Sequence, residues 1–514
     1  MRLTRRLLLL STTILLLLLL KTIMLPPTPK TPAVIIIGSG LAGLSAGLTA
    51  LTTIPPLPHI YLLDAAPKPG GNSIKASSGI NAAPSPAQQP AFYTDTVRSA
   101  GHILDSAPPR ARQARESLIR TLTARSAGAL QWLTSLGVDL SVVAQLGGHS
   151  EARTHRPAGG TPPGWAIVKA LLDRVKAEDK RFAMMLGCRV TRLLADSGGV
   201  RGVEYVGPDG GTEELYGSVV FATGGFAGDT DGLLKKYRPD LEGMPSTNEA
   251  RVGAHGVLTA VGARLVDMES VQVHPTGFVD PARAGERVKI LAAEMLRGEG
   301  GVLMYKGKRF VNELDTRERV SKAIMELPAM DDKGGEGALR QWDVQILLDA
   351  GAAEAAKGHV GFYTMKGLLK KVKVAALDAT TQETVREYGA AVEAGDVENL
   401  VLLGRKAFGH WKLRAPARDE SGALKWDEDA EVLVGTVTPI THFTMGGVAF
   451  NTKAQVLASD YDEEEKPIPG LWAAGEITGG IHGDNRLGGS SLLECVVFGR
   501  IAGEEAAKAA MKGE

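Results

Sequence analysis

The run Ala33-Val-Ile-Ile-Ile37, followed at once by Gly38-Ser-Gly40-Leu-Ala-Gly43, constrains this chain more than any other feature. Five apolar, mostly β-branched residues read as a buried parallel strand. Three glycines then allow a tight turn, close approach of backbone to a pyrophosphate, and close helix–strand packing. Leu44–Leu51 continues as a helix, whose start offers N–H groups and a positive dipole end to phosphate. A second strand, His59–Leu63, ends in Asp64, 21 residues after Gly43, where a carboxylate is expected on a ribose hydroxyl. A glycine triplet alone is weak. Strand, helix, strand and acid in this order predict a Rossmann-like dinucleotide site on Gly38, Gly40, Gly43 and Asp64. The bland alternative is a glycine-rich turn without a ligand.

Three further segments bear on which dinucleotide. Gly70–Ala82 is small, polar and too rich in glycine for a core. Phe221-Ala-Thr-Gly-Gly225 follows the strand Ser218–Phe221, and Leu471-Trp-Ala-Ala-Gly-Glu476 resembles it. Glycine-rich loops far apart in sequence can converge on one elongated cofactor, and an extended FAD needs such a tunnel. Asn72, Ser73, Gly79, Thr223, Gly224 and Glu476 are the candidate contacts. The 62 glycines, about 12% against a usual ~7%, fit backbone packed close to a large ligand.

Lys plus Arg and Asp plus Glu each number 58, and aromatic residues are 5%. Zero net charge with few stacking side chains argues against nucleic-acid binding. The chain is 44% hydrophobic and 23% charged, a globular balance, and its 514 residues suit two large domains or three ordinary ones. Two cysteines, Cys188 and Cys495, exclude a disulfide framework, a cysteine-ligated iron–sulfur cluster and a C-x-x-C-H haem site. Both read as inert core thiols, and no metal site is expected. Electrons must therefore arrive from an external donor: NADH, reduced flavin or a redox protein.

Arg2, Arg5 and Arg6 precede an apolar run from Leu7 to Leu20, interrupted at Ser11, Thr12 and Thr13. Counted through Leu25 it has nineteen residues, about 28 Å as a helix, between a signal-peptide core and a short membrane span. No A-x-A-like cleavage site precedes Ala33. An uncleaved signal-anchor through residues 7–25 is the first reading, and a cleaved leader the second. The absence of acidic residues before Asp64 suits a mitochondrial presequence, whereas the Leu-rich, non-amphipathic run suits the endoplasmic reticulum. Pro26, Pro27, Pro29 and Pro32 make a stiff tether.

The glycine-rich segments stand in one order with later motifs: Gln272-Val-His-Pro-Thr276, Ala293-Glu-Met-Leu-Arg-Gly-Glu-Gly300, Arg309–Arg317, Thr441-His-Phe-Thr-Met-Gly-Gly447 and His482–Ser491. Together they resemble the fumarate reductase/succinate dehydrogenase flavoprotein family, in its monomeric, non-covalent type. The resemblance runs from about residue 33 to the C-terminus. It implies an α/β fold in which a Rossmann-like FAD-binding domain, 33–268 and 443–514, is interrupted by an α+β capping domain, 269–442, behind the segment 1–32. It implies that His274, His442 and Arg486 bind carboxylates of a small dicarboxylate. It implies that Arg317 donates the proton, with Glu294 and Arg297 as its relay, and that Ser491 and Leu492 lie on the flavin. Covalent members carry a histidine where this chain has Asn72, so FAD should be bound non-covalently. Some members have a threonine where this chain has Ala293, so one substrate hydrogen bond is absent or replaced.

The chemistry suits these residue types. Hydride addition to fumarate builds negative charge toward a carboxylate, and fixed donors there favour the transition state. Arg486 offers a planar fork and the two histidines shorter donors. Glu294 and Arg297 are three apart, so on a helix they should touch. Blander readings stand beside these: His274 as a core histidine, Glu294 and Arg297 as a solvated pair, and Arg317 within an exposed charge run, Thr-Arg-Glu-Arg. His482 reads as a supporting group or a bystander, and His149 and His155 as residues that either face the cofactor or do not. Competing functions are reduction of another enoate such as urocanate, ketosteroid dehydrogenation, a non-catalytic flavin-binding protein, and a nicotinamide dehydrogenase without flavin.

Overall fold

The computed structural model describes residues 33–53, 58–177, 180–330, 339–395, 397–413 and 430–512, with a short ladder between Ala417–Arg418 and Leu424–Lys425. The segment 7–25 lies outside the described residues. Among the described residues no helix is long and apolar enough to cross a membrane.

The strand Ala33–Ile37 is buried along its whole length and lies inside a six-stranded sheet. It pairs in parallel with His59–Asp64 on one side and Ser218–Phe221 on the other. Phe182–Leu186 and Pro467–Ala473 extend the parallel set, and Gln455–Leu457 closes one edge antiparallel. Burial on both faces explains the unbroken Ile-Val run. The helix Leu41–Thr52 covers one face, and the long helix Ser490–Lys512 packs across it. A Cβ at Gly499 or Gly503 would fall under 3.0 Å from the backbone of Ala42 or Ala46. Small residues on both helices thus let the two backbones approach closely.

The second sheet is seven-stranded and antiparallel, drawn from segments between residues 271 and 444. Its centre is Val271–Phe278 against Glu431–Thr444. The ladder slips between Gln272 and Val273 and again between His274 and Gly277, around Pro275. Proline has no N–H to donate, and such bulges re-aim neighbouring side chains. The short ladder Leu265–Val266 with Gly447–Val448 joins the two strands where the chain passes into and out of this second sheet. The expected α/β class is thus what the chain folds into.

The helix Gln89–Asp105 breaks at Gly101, which has φ 58° and ψ −140°. Into the break fits the loop before the long helix. His102 N–H donates to Asp484 Oδ2 at 2.5 Å, and Asp484 N–H donates to the Ala100 carbonyl at 3.0 Å. Ser99 Oγ donates to the Asn485 carbonyl at 2.7 Å. The residue that follows is Arg486, so this docking fixes where its guanidinium starts.

Candidate active site

The glycine fingerprint forms the turn that its spacing predicts. Gly38 has φ +107°, and a Cβ there would strike the Ala222 carbonyl. At Gly43 a Cβ would strike Gly38, the close helix–strand contact assigned to the third glycine. At Gly40, by contrast, the nearest atom a Cβ would meet is Ser73 Oγ, at 3.6 Å. The first N–H of the helix, on Leu41, donates to Ser73 Oγ at 3.2 Å. That open cradle beside a helix start is what a pyrophosphate needs. Asp64 closes the turn: Oδ2 accepts from Ser39 N at 2.8 Å and Ser39 Oγ at 2.5 Å, and Oδ1 accepts from Ala66 N at 2.8 Å.

The other glycine-rich segments come to the same groove. Gly71 packs against Gly40, and Gly225 abuts Thr444 and Glu476. Thr223 Oγ1 is buried with no partner, a group ready for a ligand atom. Gly224 has φ +77° and Gly79 φ +130°. Glu476 Oε1 accepts from Thr444 N at 2.9 Å, and burial raises its carboxyl above the usual range. Asn81 Nδ2 donates to the Gly488 carbonyl at 2.7 Å and to Ser490 Oγ at 2.9 Å, tying Gly70–Ala82 to the turn that bears Ser491 and Leu492. Asn72 donates to Asn248, whose Nδ2 donates in turn to the His442 carbonyl at 3.1 Å. An asparagine at position 72 cannot form a histidyl–flavin bond. These residues fit an FAD held without a covalent link through position 72.

Beside the groove, the six catalytic and substrate residues named from the motifs come together. Arg317 opens the helix Arg317–Met325 and is buried, so it does not belong to an exposed charge run. Its Nε donates to Glu294 Oε2 at 2.6 Å, its Nη2 to the same oxygen, and its Nη1 to Gln272 Oε1 at 3.0 Å. Gln272 Nε2 donates to Asn485 Oδ1 at 2.9 Å and to the Arg486 carbonyl at 3.0 Å. Glu294 Oε1 also accepts from Gly147 N–H at 3.1 Å. Burial alone would raise the Glu294 carboxyl, but Arg317 and Arg297 outweigh it and hold the group below its ordinary value.

The expected contact between Glu294 and Arg297 is not made. Only Met295–Gly298 is helical, with Glu294 at its cap, and the carboxylate turns to Arg317 instead. Arg297 Nη1 donates to the Glu313 carbonyl at 2.6 Å, while its Nε and Nη2 are buried without partners. Burial pushes its guanidinium down to about 10.

The carboxylate-binding candidates face this pair. The His274 and His442 rings lie edge to face, 5.4 Å apart. Thr276 N–H donates to His274 Nδ1 at 3.2 Å, and His274 Nε2 has no protein partner. Burial, with the charges of Arg317 and Arg486 nearby, holds both imidazoles neutral, well below the usual range. Arg486 is 2% exposed and stacks 4.5 Å from the Phe443 ring. Its Nη1 donates to the Leu487 carbonyl at 3.1 Å, and its Nε is unpartnered. Burial, then the charge of Arg317, pushes it down to about 9. A cleft of about 730 Å³ opens beside Gln272, Thr316 and Asn485.

The residues left open find definite places. His482 Nε2 lies 2.9 Å from Glu494 Oε2, in a buried pair. His149 lies between the Gly488 carbonyl, 3.1 Å from Nε2, and Arg153, whose Nη1 donates to Nδ1 at 3.1 Å. His155 belongs to a strand, with Nδ1 3.2 Å from the Leu140 carbonyl. Both thiols are pushed up by burial, as inert sulfurs should be. Sequence reasoning passed over Gln272, although it stands two residues before His274. It also passed over Thr247 and Asn248, for which no local motif gives a signal.

Burial pushes His149 down to about 4 and His255 likewise to about 4. Unfolded imidazole titrates near ~6.5, so between about 6.5 and 4 the unfolded chain binds protons that the folded chain refuses. The stability these groups contribute is whole above about pH 6.5 and is lost as pH falls toward 4. The expected loss is up to about 3 kcal/mol per group. Urea midpoints measured across that range should fall with acid, and His255→Leu should flatten the slope. Equal slopes in the two proteins would refute the assignment.

A glycine-rich dinucleotide turn beside a cluster of arginines, histidines and a glutamate fits an FAD-dependent oxidoreductase. A family model described as an FAD binding domain matches residues 33–492. The fumarate reductase of Schizosaccharomyces pombe is 38% identical over 505 residues, covering 94% of this chain and 91% of that protein. Fumarate reductase 1 of Saccharomyces cerevisiae is 39% identical over 489 residues, covering 92% and 98%. A solved flavocytochrome c3 fumarate reductase in an open conformation superposes with a TM-score of 0.68 at 32% identity, covering 94% of this chain and 79% of that one. The chain belongs to the FAD-binding fumarate reductase family.

Proposed function

We propose that this protein reduces fumarate to succinate, with hydride delivered to one alkene carbon and a proton from Arg317 to the other. The observation that carries the reading is the convergence of buried Arg486 and His274 with half-buried His442 beside the Arg317–Glu294 pair. When bound, reduced FAD supplies the hydride from its N5 position. The chain supplies position and field. Arg486 takes one carboxylate in its fork, and the neutral histidines donate to the dianion from Nε2. Hydride addition sends charge toward a carboxylate already ringed by donors, which lowers the barrier more than it lowers the ground state.

The proton comes from a group that is normally charged at any working pH. Arg317 can act as an acid because its conjugate base is short-lived beside Glu294. Arg297, made more acidic by burial, replenishes the relay when its side chain turns from the Glu313 carbonyl toward Glu294. A bulky apolar substrate would leave the donors of Arg486, His274 and His442 unpaired, a heavy desolvation cost. An external donor supplies electrons. Residues 7–25 act as a membrane anchor or a leader to the mitochondrion or endoplasmic reticulum in this reading, which fractionation of the full-length chain tests.

The deciding experiment is anaerobic turnover of a panel of 2-enoates by holoenzyme with a chemically reduced donor. Fumarate should exceed monocarboxylates such as acrylate and urocanate by at least about 100-fold in kcat/KM, the worth of one charged hydrogen-bonded contact or more. Equal rates would overturn the dicarboxylate reading.

A further inference from the structure

We infer that Thr247 is a positioning residue for His442: its hydroxyl, 3.1 Å from Nδ1, donates to that nitrogen and so holds the ring tautomer that presents an Nε2–H donor to the bound carboxylate. The inference rests on the dicarboxylate reading of the site and adds a residue to it.

A carboxylate only accepts, and a neutral imidazole has a single N–H. Each histidine of the clamp must therefore carry its proton on the nitrogen that faces the ligand. His274 can meet this requirement on backbone: Nδ1 lies 3.2 Å from both the N–H and the carbonyl of Thr276, and accepting from the N–H leaves the ring proton on Nε2. No backbone group does this for His442. Among the described residues, Thr247 Oγ1 is the one polar atom within hydrogen-bond distance of its ring. Burial and the charges of Arg486 and Arg317 keep the ring from gaining a second proton, so the tautomer decides whether a donor is present at all.

A hydroxyl can donate or accept. If Thr247 accepted from Nδ1–H, a lone pair on Nε2 would face the carboxylate. If it donates, Nε2–H points at the ligand. The anion thus favours the donating orientation, and the hydroxyl makes it available without an unsatisfied nitrogen. Thr247 is itself fixed to the strand that bears His442. Its N–H donates to the Thr441 carbonyl at 3.2 Å, and Ser246 Oγ donates to the same oxygen at 3.1 Å. Asn248 Nδ2 donates to the His442 carbonyl. Ring and hydroxyl are therefore held in one unit.

The test compares Thr247→Val, which keeps the shape, with Thr247→Ser, which keeps the hydroxyl, in the FAD-loaded enzyme. In the valine variant the KM for fumarate and the Kd for succinate should rise about 10-fold, the worth of one hydrogen bond, with kcat changed less. Serine should restore both. Nitrogen NMR of ¹⁵N-histidine-labelled holoenzyme should show His442 as the Nε2–H tautomer with succinate in wild type and a mixture in Thr247→Val. Wild-type KM and wild-type His442 shifts in the valine variant would overturn the proposal, as would an Nδ1–H tautomer in the wild-type succinate complex. If wild type neither reduces fumarate nor binds succinate, the functional reading fails. Ligand-free His442 shifts then decide Thr247 alone: a change between wild type and valine supports its role, and identical shifts sink it.

Discussion

Replacing Arg317 by alanine is expected to lower fumarate turnover by about 10³- to 10⁴-fold while FAD stays bound. Two functions disappear with the guanidinium. On the proposed mechanism one is the proton donor, and the other is the positive charge beside Glu294 that would face the developing carbanion. Arg317 makes its bonds to Glu294 and Gln272, so its loss leaves a buried carboxylate short of its partner. That exposes the fold to a loss of about 3–5 kcal/mol, set by how well Arg297 compensates. Turnover must therefore be read beside flavin absorbance and a melting curve. Arg317→Lys, which keeps charge but lacks the planar fork, should recover only part of the rate. Activity within about 10-fold of wild type in a folded, FAD-loaded alanine variant would remove Arg317 from the role of acid, since general acids contribute at least ~10².

The second large effect concerns Arg486. Arg486→Met should lower kcat/KM for fumarate by about 10³-fold, since two charge-assisted hydrogen bonds of roughly 1.5–3 kcal/mol each are lost. Methionine retains packing over Phe443, so flavin binding should survive. The pH dependence gives an independent check. With no ligand, burial and Arg317 leave the Arg486 guanidinium near about 9, so the free enzyme loses this cation as pH rises past that value. A bound dianion favours the charged form and raises the value. In wild type, kcat/KM should therefore fall above about pH 9, while kcat holds to higher pH. A kcat/KM that stays level through pH 10, about one unit beyond that value, would show that Arg486 is not the group carrying the substrate charge.

Much of the site was legible because its chemistry sits in local patterns. The turn at Gly38–Gly43 is set by φ angles and close contacts that only glycine meets, so spacing alone located it. His274, Glu294, Arg317, His442 and Arg486 each stand in a short motif, and the structure gathers them. Arg297 was legible as a member of the group but not in its contact. A three-residue spacing predicts touching side chains only where a helix is long enough to set their faces, and this one spans Met295–Gly298.

What the amino-acid order determined by itself is the inventory: a dinucleotide turn, a flavin-sized set of glycine loops, and charged and imidazole side chains set in short motifs. These follow from backbone sterics and side-chain chemistry over a few residues. Only the folded chain decided who meets whom. Thr247 and His442 lie 195 residues apart, and Gln272 and Arg317 lie 45 apart. Thr247 reaches His442 because Ser246 bridges the strand at Thr441, and Arg317 reaches Gln272 because its helix packs on the strand Val271–Phe278. Register and docking are set by the packing of whole elements, and no short stretch of sequence encodes that.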